Sequence, residues 1–440
     1  MKKYIIRIPL LIMMGIMFLS CSDFTDGINV SPNDFTSSPG NLLVGQAQLE
    51  VVILSGSNNS RFAGIFTDQF TGADRQYLTV QKYGVTAGDF DDTWDDLYVG
   101  GVTNAQIAKA AGIESGDDLL AGVSGIMEAL LLGEATALWG DIPYTEAGNI
   151  LLYRNPNYDS QVSVLAAVQT LLSDAIAKLG SAGVANVYNT AFMANDAKWA
   201  EVAHTLKARY YLIAKDYPNA LIEAQMGIQT ATGSLVSSHG TTTGSRNLYY
   251  QFEEEQRGGY LTATDSHLTK LLTGVTARTI ATPGDSERFK DYFIQGTDEV
   301  TFNTAEDGYF GTSASYPIVS FIENKLIQAE AAQRTGGDAL TPFNSVRTHL
   351  ATKYSASFPA SSSTGASLLE EILEEKYISL PGSLQIFHDA RRTKNLLGVP
   401  NKGTNSVSIP QRFFYPQSEI NANSNFGGLV DLFTPTPINQ

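Results

Sequence analysis

The hydrophobic pattern of this chain is mainly helical. Apolar side chains recur every three or four residues over long segments, and this period places them on one face of an α-helix. In the segment 117–139, for example, Val123, Ile126 and Leu130 fall on the same face. The same period predicts helices over residues 42–53, 91–111, 117–139, 160–179, 197–215, 219–230, 317–334, 342–354 and 367–380.

Two long segments interrupt this pattern. Residues 55–90 and 232–315 lose the helical period and are rich in Gly, Thr and aromatic side chains, and the residues after 380 are predicted to be mostly coil. Helices that follow one another in pairs are typical of tetratricopeptide-like stacks, which bury a continuous core between neighbours. The sequence therefore predicts a mostly α fold of tetratricopeptide-like helical pairs with long irregular loop insertions, in one domain over residues 42–440.

The N-terminus has the features of an export signal. Lys2 and Lys3 precede an apolar run over residues 5–19, which is shorter than the ~20 residues needed to cross a bilayer. Residues 18–21 (FLSC) are similar to a lipobox, so Cys21, the only cysteine, is the expected lipidation site. We expect a cleaved signal peptide at 1–20 and a tether at 21–41. The alternative is an ordinary signal peptide followed by an incidental cysteine.

Composition limits the classes of ligand. The hydrophobic share of 43% suffices for a large core, and the net charge of −16 disfavours nucleic acid as a partner. Many of the 20 tyrosines stand in polar, Gly-rich stretches, which indicates exposed rings. This combination is expected of a protein that binds carbohydrate or another neutral ligand.

The sequence offers little for catalysis or metal binding. The five histidines never take HxxxH or HExxH spacing, and neither a GxSxG elbow nor a GxxxxGK[ST] loop occurs. Glu253 and Glu254 could imitate a glycosidase pair, and the acids in residues 89–96 could hold calcium. We expect those acids to offset the dipole of a helix N-terminus instead. No enzyme activity, cofactor or metal is predicted.

Several motifs together resemble those of the SusD/RagB outer-membrane nutrient-binding lipoproteins, particularly a second SusD-like branch. They follow one another in the family's order over almost the whole chain. The similar segments are 21–24 (CSDF), 28–33 (INVSPN), 138–144 (LWGDIPY), 156–161 (PNYDSQ), 198–199 (KW), 206–209 (LKAR), 317–332, 390–393 (ARRT) and 412–416 (RFFYP).

The resemblance implies a SusD-like α-α superhelix that serves as a lipid-anchored lid, facing the cell exterior, over a SusC-like TonB-dependent transporter. Its ligand would be a glycan or oligosaccharide. The same lid role for peptides or another nutrient, and a helical envelope scaffold without ligand, remain alternatives. Arg209, Arg391 and Arg392 occupy family motif positions, so they are the expected ion-pair partners of Glu323 and Glu330, two carboxylates on an apolar helix.

The insertions supply the candidate ligand site. Sugar rings pack their C–H faces on aromatic planes, while their hydroxyl groups need amide, carboxylate or guanidinium partners at the edge. Residues 75–77 (RQY) and the stretch 247–260 contain both kinds of side chain, and we expect one shallow platform there, although such rings could instead plug the helical core. The candidate ligand-binding residues are Arg75, Gln76, Tyr77, Asn247, Tyr249, Tyr250 and Tyr260, with Trp94, on a helix, in reserve.

Overall fold

Helices form most of the chain that the structure, a computed structural model, describes. The described residues are 38–186, 188–193, 196–404 and 406–440. The expected signal peptide, the expected lipidation site Cys21 and most of the tether lie outside these ranges. Residues 40–440 form one compact unit.

The α-helices and strands have the following bounds. The helices are α1 Gly40–Gly56, α2 Asn58–Phe66, α3 Arg75–Gln81, α4 Asp91–Asp95, α5 Thr103–Ser115, α6 Asp118–Trp139, α7 Gln161–Leu179, α8 Trp199–Ile213, α9 Tyr217–Met226, α10 Leu248–Tyr250, α11 His267–Leu272, α12 Asp285–Tyr292, α13 Phe321–Thr335, α14 Leu340–Tyr354, α15 Gly365–Ser379, α16 Leu384–Arg392 and α17 Gln417–Ala422. The strands are β1 Thr71–Gly72, β2 Ile142–Pro143, β3 Tyr158–Asp159, β4 Phe192–Met193, β5 Leu235–Ser237, β6 Leu261–Thr262, β7 Phe293–Gln295, β8 Val300–Phe302 and β9 Pro317–Val319.

Helix α6 is the centre of the N-terminal half. Gly116 ends α5 in the left-handed region at φ 71°, and the Asp117 side chain then accepts a hydrogen bond from the amide of Leu120, which starts α6. Helices α1, α5 and α7 pack around α6. Among the described residues, α6 and α7 are long and apolar enough to cross a membrane, but 94% of the most apolar window of α6 is buried within the protein.

A close helix contact joins α6 to α8. A Cβ atom at Gly133 would lie 2.2 Å from Cζ of Tyr210, so only glycine admits the tyrosine ring here. The Tyr210 hydroxyl donates to the carbonyl of Leu130 at 3.0 Å, which satisfies a fully buried phenol. Sequence spacing predicts both helices, and this contact fixes how near they approach.

The helical stack continues through the C-terminal half. Helix α8 packs on α7 and α9, α9 packs on α13, and α13 packs on α14 and α15. Ser320 caps α13 by accepting from the amide of Glu323 at 3.1 Å. The predicted mostly α arrangement of stacked pairs is thus confirmed.

The structure corrects the sequence prediction at several places, and the segments expected to be irregular or coil contain the short helices α3, α11, α12 and α17. Residues 58–66, expected to break the helix and then be irregular, form α2, while 317–319, expected to begin a helix, form β9. Residues 384–392, expected to be coil, form α16, every residue of which is buried, because its polar side chains are taken up in buried hydrogen bonds with distant parts of the chain such as Glu134 and Glu330. The predicted helix over 91–111 contains a π-helical turn at Asp96–Val102.

Buried ion pairs hold the helices together. Arg209 Nε donates to Glu323 Oε1 at 2.6 Å and its Nη1 to Glu134 Oε1 at 3.0 Å, while Arg392 Nη1 donates to Glu330 Oε1 at 2.6 Å. Arg209 and Arg392 thus form the ion pairs with Glu323 and Glu330 that the sequence predicts. Arg391 does not form one, because its guanidinium group contacts carbonyl oxygens and the His388 ring instead.

Two of the sequence motifs meet each other in the fold. Strand β2 pairs antiparallel with β3, placing Ile142 opposite Asp159. Asp141 accepts from the amide of Gln161 at 2.8 Å, and Asp159 accepts from the amide of Tyr144 at 3.0 Å. The carboxylates of these motifs thus fix the connection between α6 and α7.

Candidate functional site

The two insertions are joined by a short antiparallel ladder. Strand β1 from the first insertion pairs with β6 from the second, with Thr71 opposite Thr262 and Gly72 opposite Leu261. A Cβ atom on Gly72 would lie 1.9 Å from the carbonyl oxygen of Tyr77, so the chain can fold back into α3 only with glycine at this position. This ladder brings residues 75–77 beside residues 252–260, as the candidate site requires.

Tyr260 lies between two guanidinium groups at the surface. Arg75 donates a hydrogen bond from Nη1 to the Tyr260 hydroxyl, and its Cζ lies 5.2 Å from the centre of the Tyr260 ring. Cζ of Arg257 lies 5.8 Å from the same ring centre. Tyr260 is half-buried while Arg75 and Arg257 are exposed, so the ring has hydrogen-bond donors beside it.

Tyr77 is buried beneath Tyr260. Its hydroxyl accepts from Arg61 Nε at 3.0 Å and donates to Asn58 Oδ1 at 3.2 Å. Its ring centre lies 5.1 Å from that of Phe252 and 6.4 Å from that of Tyr260. Burial raises the pKa of the Tyr77 hydroxyl, which therefore stays protonated and fixed in this network.

A cleft of about 310 Å³ opens at this junction. We call it the insertion cleft. The buried rings of Phe62, Tyr77 and Phe252 line its inner wall, whereas the exposed Gln76 and Gln256 bring amide groups to it. The residues that line the cleft are Asn58, Arg61, Phe62, Gln76, Tyr77, Val80, Gly88, Asp89, Asp92, Phe252, Gln256 and Arg257.

Charged groups approach the cleft from two sides. Arg61 belongs to α2, and Arg257 directly follows the turn Gln251–Gln256 in the second insertion, whereas Asp89 and Asp92 belong to the turn before α4 and to α4 itself. Arg61 is buried, forms no ion pair with any described residue, and stacks with its Cζ 4.2 Å from the Phe252 ring centre. The cleft therefore presents both cationic and anionic groups to a ligand.

A buried acid adjoins the cleft on a π-helix. Glu253 lies in the π-helical turn Gln251–Gln256, and burial raises the pKa of its carboxyl to about 8. Its Oε1 is buried without a hydrogen-bond partner. Single π-helical turns occur frequently at functional sites.

The structure corrects the predicted platform at Tyr249 and Asn247. Tyr249 is a core residue whose hydroxyl donates to Ser60 Oγ at 3.0 Å and whose ring packs on Phe70 and Phe310. Asn247 is fully buried and caps α10 by accepting from the amide of Tyr249 at 2.8 Å. Neither side chain is available for stacking, because each is committed to packing or capping.

Trp94 and Tyr250 also lie apart from the cleft lining. Trp94 is buried, with its ring centre 5.3 Å from that of Trp139 and 4.6 Å from that of Tyr98, so it has a core role. Tyr250 is half-buried beside Arg246, whose Cζ lies 5.9 Å from its ring centre. Of the predicted residues, the structure brings together Arg75, Gln76, Tyr77 and Tyr260, but Tyr77 is 2% exposed and so, like Tyr249, is a core ring and not the exposed stacking surface predicted.

Several residues that line the cleft were not predicted from the sequence as ligand-binding residues. Arg61 and Asn58 belong to a segment interpreted as a helix break, and Gln256 carried no signal beyond its place in an aromatic insertion. An arginine directly before Phe62, in an otherwise apolar stretch through Phe66, was the available signal. Within the described residues, no group of three His, Cys, Asp or Glu side chains is arranged to hold a metal ion.

A family model matches residues 32–252, half of the chain, and it describes SusD-like proteins as starch-binding and associating with the outer membrane. The chain belongs to the SusD-like family. No curated protein matches the sequence.

Solved structures show the same fold for this SusD-like protein. A SusD/RagB family protein from Bacteroides thetaiotaomicron is 19% identical with a TM-score of 0.68, and the match covers 88% of this chain and 95% of that one. A chitin-binding SusD homologue from Flavobacterium johnsoniae is 15% identical with a TM-score of 0.70, covering 91% and 98%. A SusD homologue from Bacteroides fragilis is 18% identical with a TM-score of 0.69, covering 92% and 100%.

Proposed function

We propose that this SusD-like protein is a lipid-anchored binding protein on the outer face of the outer membrane. It captures a glycan or oligosaccharide and delivers it to a SusC-like TonB-dependent transporter, without catalysing a reaction. The observation that carries the proposal is the insertion cleft, where the buried rings of Phe62, Tyr77 and Phe252 line a wall beside exposed polar groups from Gln76 and Arg257. Names of similar proteins, one starch-binding family and one chitin-binding homologue, support a carbohydrate ligand.

The cleft suits a sugar for a chemical reason. Sugars combine apolar C–H faces with a rim of hydroxyl groups, so they need an apolar surface with donors and acceptors around it. The insertion cleft supplies amides from Asn58, Gln76 and Gln256 around aromatic rings, at a volume at the lower end of the ~300–1,000 Å³ of small-molecule sites. The ligand would then be a short glycan segment rather than a folded polymer.

A short peptide is the second candidate ligand. The charged groups favour it, because Arg61 and Arg257 would meet carboxylate groups of a peptide and Asp89 and Asp92 would meet its ammonium groups. The role as a delivery protein would be unchanged. Neutral glycans and charged peptides differ in salt dependence, since screening weakens only the second.

Membrane attachment rests on the N-terminal sequence. Cys21 follows an apolar leader, and Asp23 and Asp26 resemble the acidic export signal of surface lipoproteins. An acyl anchor at Cys21 would hold the domain at the membrane surface, where the transporter is. The transporter is proposed from the family resemblance.

The function is tested with soluble protein that begins at residue 38. Binding to a glycan array and to a peptide library is measured, followed by calorimetry on each hit in low and high salt. Gln256→Ala and Arg257→Ala should weaken the best ligand by about tenfold each, as side chains at a binding edge do. Lys290→Ala, on the exposed face of α12, is the control and should bind as wild type does. Wild-type affinity in both cleft variants would refute this placement.

A further inference from the structure

Buried arginines in this protein are usually paired with carboxylates. Arg347 Nη1 lies 2.7 Å from Glu375, and Arg209 Nε lies 2.6 Å from Glu323. Pairing is expected, because removing a guanidinium charge from water is costly without a counter-ion. The buried arginines that form such pairs are Arg209, Arg278, Arg288, Arg347 and Arg392.

Arg391 departs from this pattern, as do the buried Arg61 and Arg412. Arg391 is 2% exposed, its guanidinium donates to the carbonyl oxygens of Phe387 at 3.1 Å, Gln411 at 3.0 Å and Ala137 at 2.9 Å, and its Nη2 contacts His388 Nδ1 at 2.5 Å. It forms no ion pair with any described residue. Burial and the neighbouring Arg412 lower its pKa to about 9. The Arg391 charge therefore has hydrogen bonds but no carboxylate in direct contact among the described residues, and Glu134 is linked to it only through His388.

Arg391 opens onto a pocket of about 550 Å³ at the end of α16. Among the described residues, no aspartate or glutamate side chain lines this pocket, although the chain as a whole carries a net charge of −16. The pocket shares no residue with the insertion cleft. It is lined by Arg391, Lys394, Asn395, Asn401, Val407, Ser408, Ile409, Gln411, Phe433, Pro435, Asn439 and Gln440.

Lys394 and Asn439, which also line the pocket, each have a polar atom without a hydrogen-bond partner among the described residues. Lys394 is exposed, and among the described residues its ammonium group has neither an ion pair nor a hydrogen-bond partner. Asn439 is 7% exposed, and its Oδ1 is buried without a partner while its Nδ2 donates to Thr436 Oγ1 at 3.2 Å. Amide oxygen and nitrogen positions are interchangeable by a turn about the last bond. Turned in this way, Asn439 accepts from Thr436 and offers an N–H donor instead.

We propose that this pocket binds the carboxylate or sulfate group of a small molecule about the size of a monosaccharide. Arg391 supplies fixed positive charge at the wall, Lys394 supplies a mobile ammonium group, and Asn439 adds a neutral donor. An anion here gains two opposite charges in a partly desolvated setting, where charge-assisted hydrogen bonds are about twice as strong as neutral ones. The volume falls within the range of small-molecule sites.

The pocket also offers apolar surface against which the uncharged face of a sugar ring can pack. Phe433 and Ile409 present apolar surface beside the charged groups. A free inorganic anion would use only Arg391 and Lys394, whereas a uronic acid would also use this surface. The shared chemistry is the anionic group, and its two sources, a sugar acid and a free ion, are separated by the choice of probe.

The test is calorimetric titration of soluble protein beginning at residue 38 with sodium glucuronate, glucose and sodium sulfate at constant ionic strength. Glucuronate should bind and glucose should not. Lys394→Gln should weaken glucuronate binding about tenfold, and Lys394→Arg should retain it. Sulfate binding of equal strength, lost in Lys394→Gln, would support the site with a free anion as its ligand. Absence of binding by both anions would overturn the proposal.

Two further variants distinguish binding inside the pocket from a general effect of surface charge. Ser408→Trp keeps every charge but fills the pocket, so it should abolish glucuronate binding. Lys290→Gln removes the same charge from the surface of α12, outside the pocket, and should bind as wild type does. Equal weakening in Lys290→Gln and Lys394→Gln, or full binding in Ser408→Trp, would overturn the assignment.

Discussion

Arg75 donates a hydrogen bond to the hydroxyl of Tyr260, a residue 185 positions later in the chain. The two side chains belong to separate insertions, which the β1–β6 ladder joins. Because this contact is exposed, it supports little of the fold, and a ligand at the cleft would find both groups in place. Arg75 and Tyr260 are therefore expected to contribute more to ligand binding than to stability.

Replacing Tyr260 with Ala should weaken ligand binding while leaving the fold intact. Loss of a stacking ring at a binding site costs on the order of 1 to 3 kcal/mol, and Tyr260 is only half-buried. Calorimetry with the ligand found on the array is the measurement. Tyr260→Phe is the matched control, since it keeps the ring and removes only the hydroxyl that Arg75 contacts. Equal losses in both variants would show that the hydrogen bond, rather than stacking, matters.

Replacing Tyr249 with Phe should reduce stability and leave affinity unchanged. The Tyr249 hydroxyl donates to Ser60 inside the core, and a buried hydrogen bond contributes about 1 kcal/mol. Urea unfolding gives the free energy of unfolding, and calorimetry gives the affinity. A variant with wild-type stability and weakened binding would show instead that Tyr249 contacts the ligand.

Replacing Glu330 with Ala should lower the melting temperature strongly. Glu330 is fully buried and accepts from Arg392 and Arg334, so its removal leaves the buried Arg392 with Asp389 alone, at a cost of ~3 to 5 kcal/mol. The folded variant should still bind ligand normally. Glu287→Ala, which breaks the exposed pair with Lys290, should change the melting temperature little.

Replacing Glu253 with Gln should change how stability depends on pH. Burial raises the pKa of Glu253 from 4.5 to about 8, so the folded state keeps a proton that the unfolded state has lost between these values. The Glu253 contribution is therefore fully present below pH 4.5 and declines as pH rises towards 8, by at most about 1.4 kcal/mol per pH unit.

The comparison of wild type and Glu253→Gln by urea unfolding at pH 5 and pH 8 checks this. The variant should gain stability relative to wild type at the higher pH. Other acids with raised pKa values, such as Glu50 and Asp68, are present in both proteins and cancel in the difference. A difference between the two proteins that is independent of pH would contradict the prediction.

Replacing Cys21 with Ala should release the protein from the membrane without affecting its fold. The proposed acyl anchor depends on the single thiol of Cys21. Fractionation of cells that lack any transporter partner is the measurement. If the variant still sediments with outer membranes, the lipoprotein assignment is wrong.

The sequence by itself determined the helical scaffold. The apolar period predicted α6, α7 and α8 closely, because the spacing of apolar side chains along a helix is a local property of the sequence. The motifs around Trp139 and Tyr158 identified the family. Arg209 and Glu323 could be matched as partners, because a buried charge on an apolar helix requires one.

Only the tertiary structure decided which aromatic side chains are exposed. Tyr249 and Tyr260 stand in one insertion and look equivalent in sequence, but Tyr249 packs on Phe70 and Tyr260 lies at the surface beside Arg75. Which of the two rings is exposed depends on the β1–β6 ladder, whose paired residues are nearly two hundred positions apart. Loops carry no period that records such contacts, so burial there is set by distant parts of the chain.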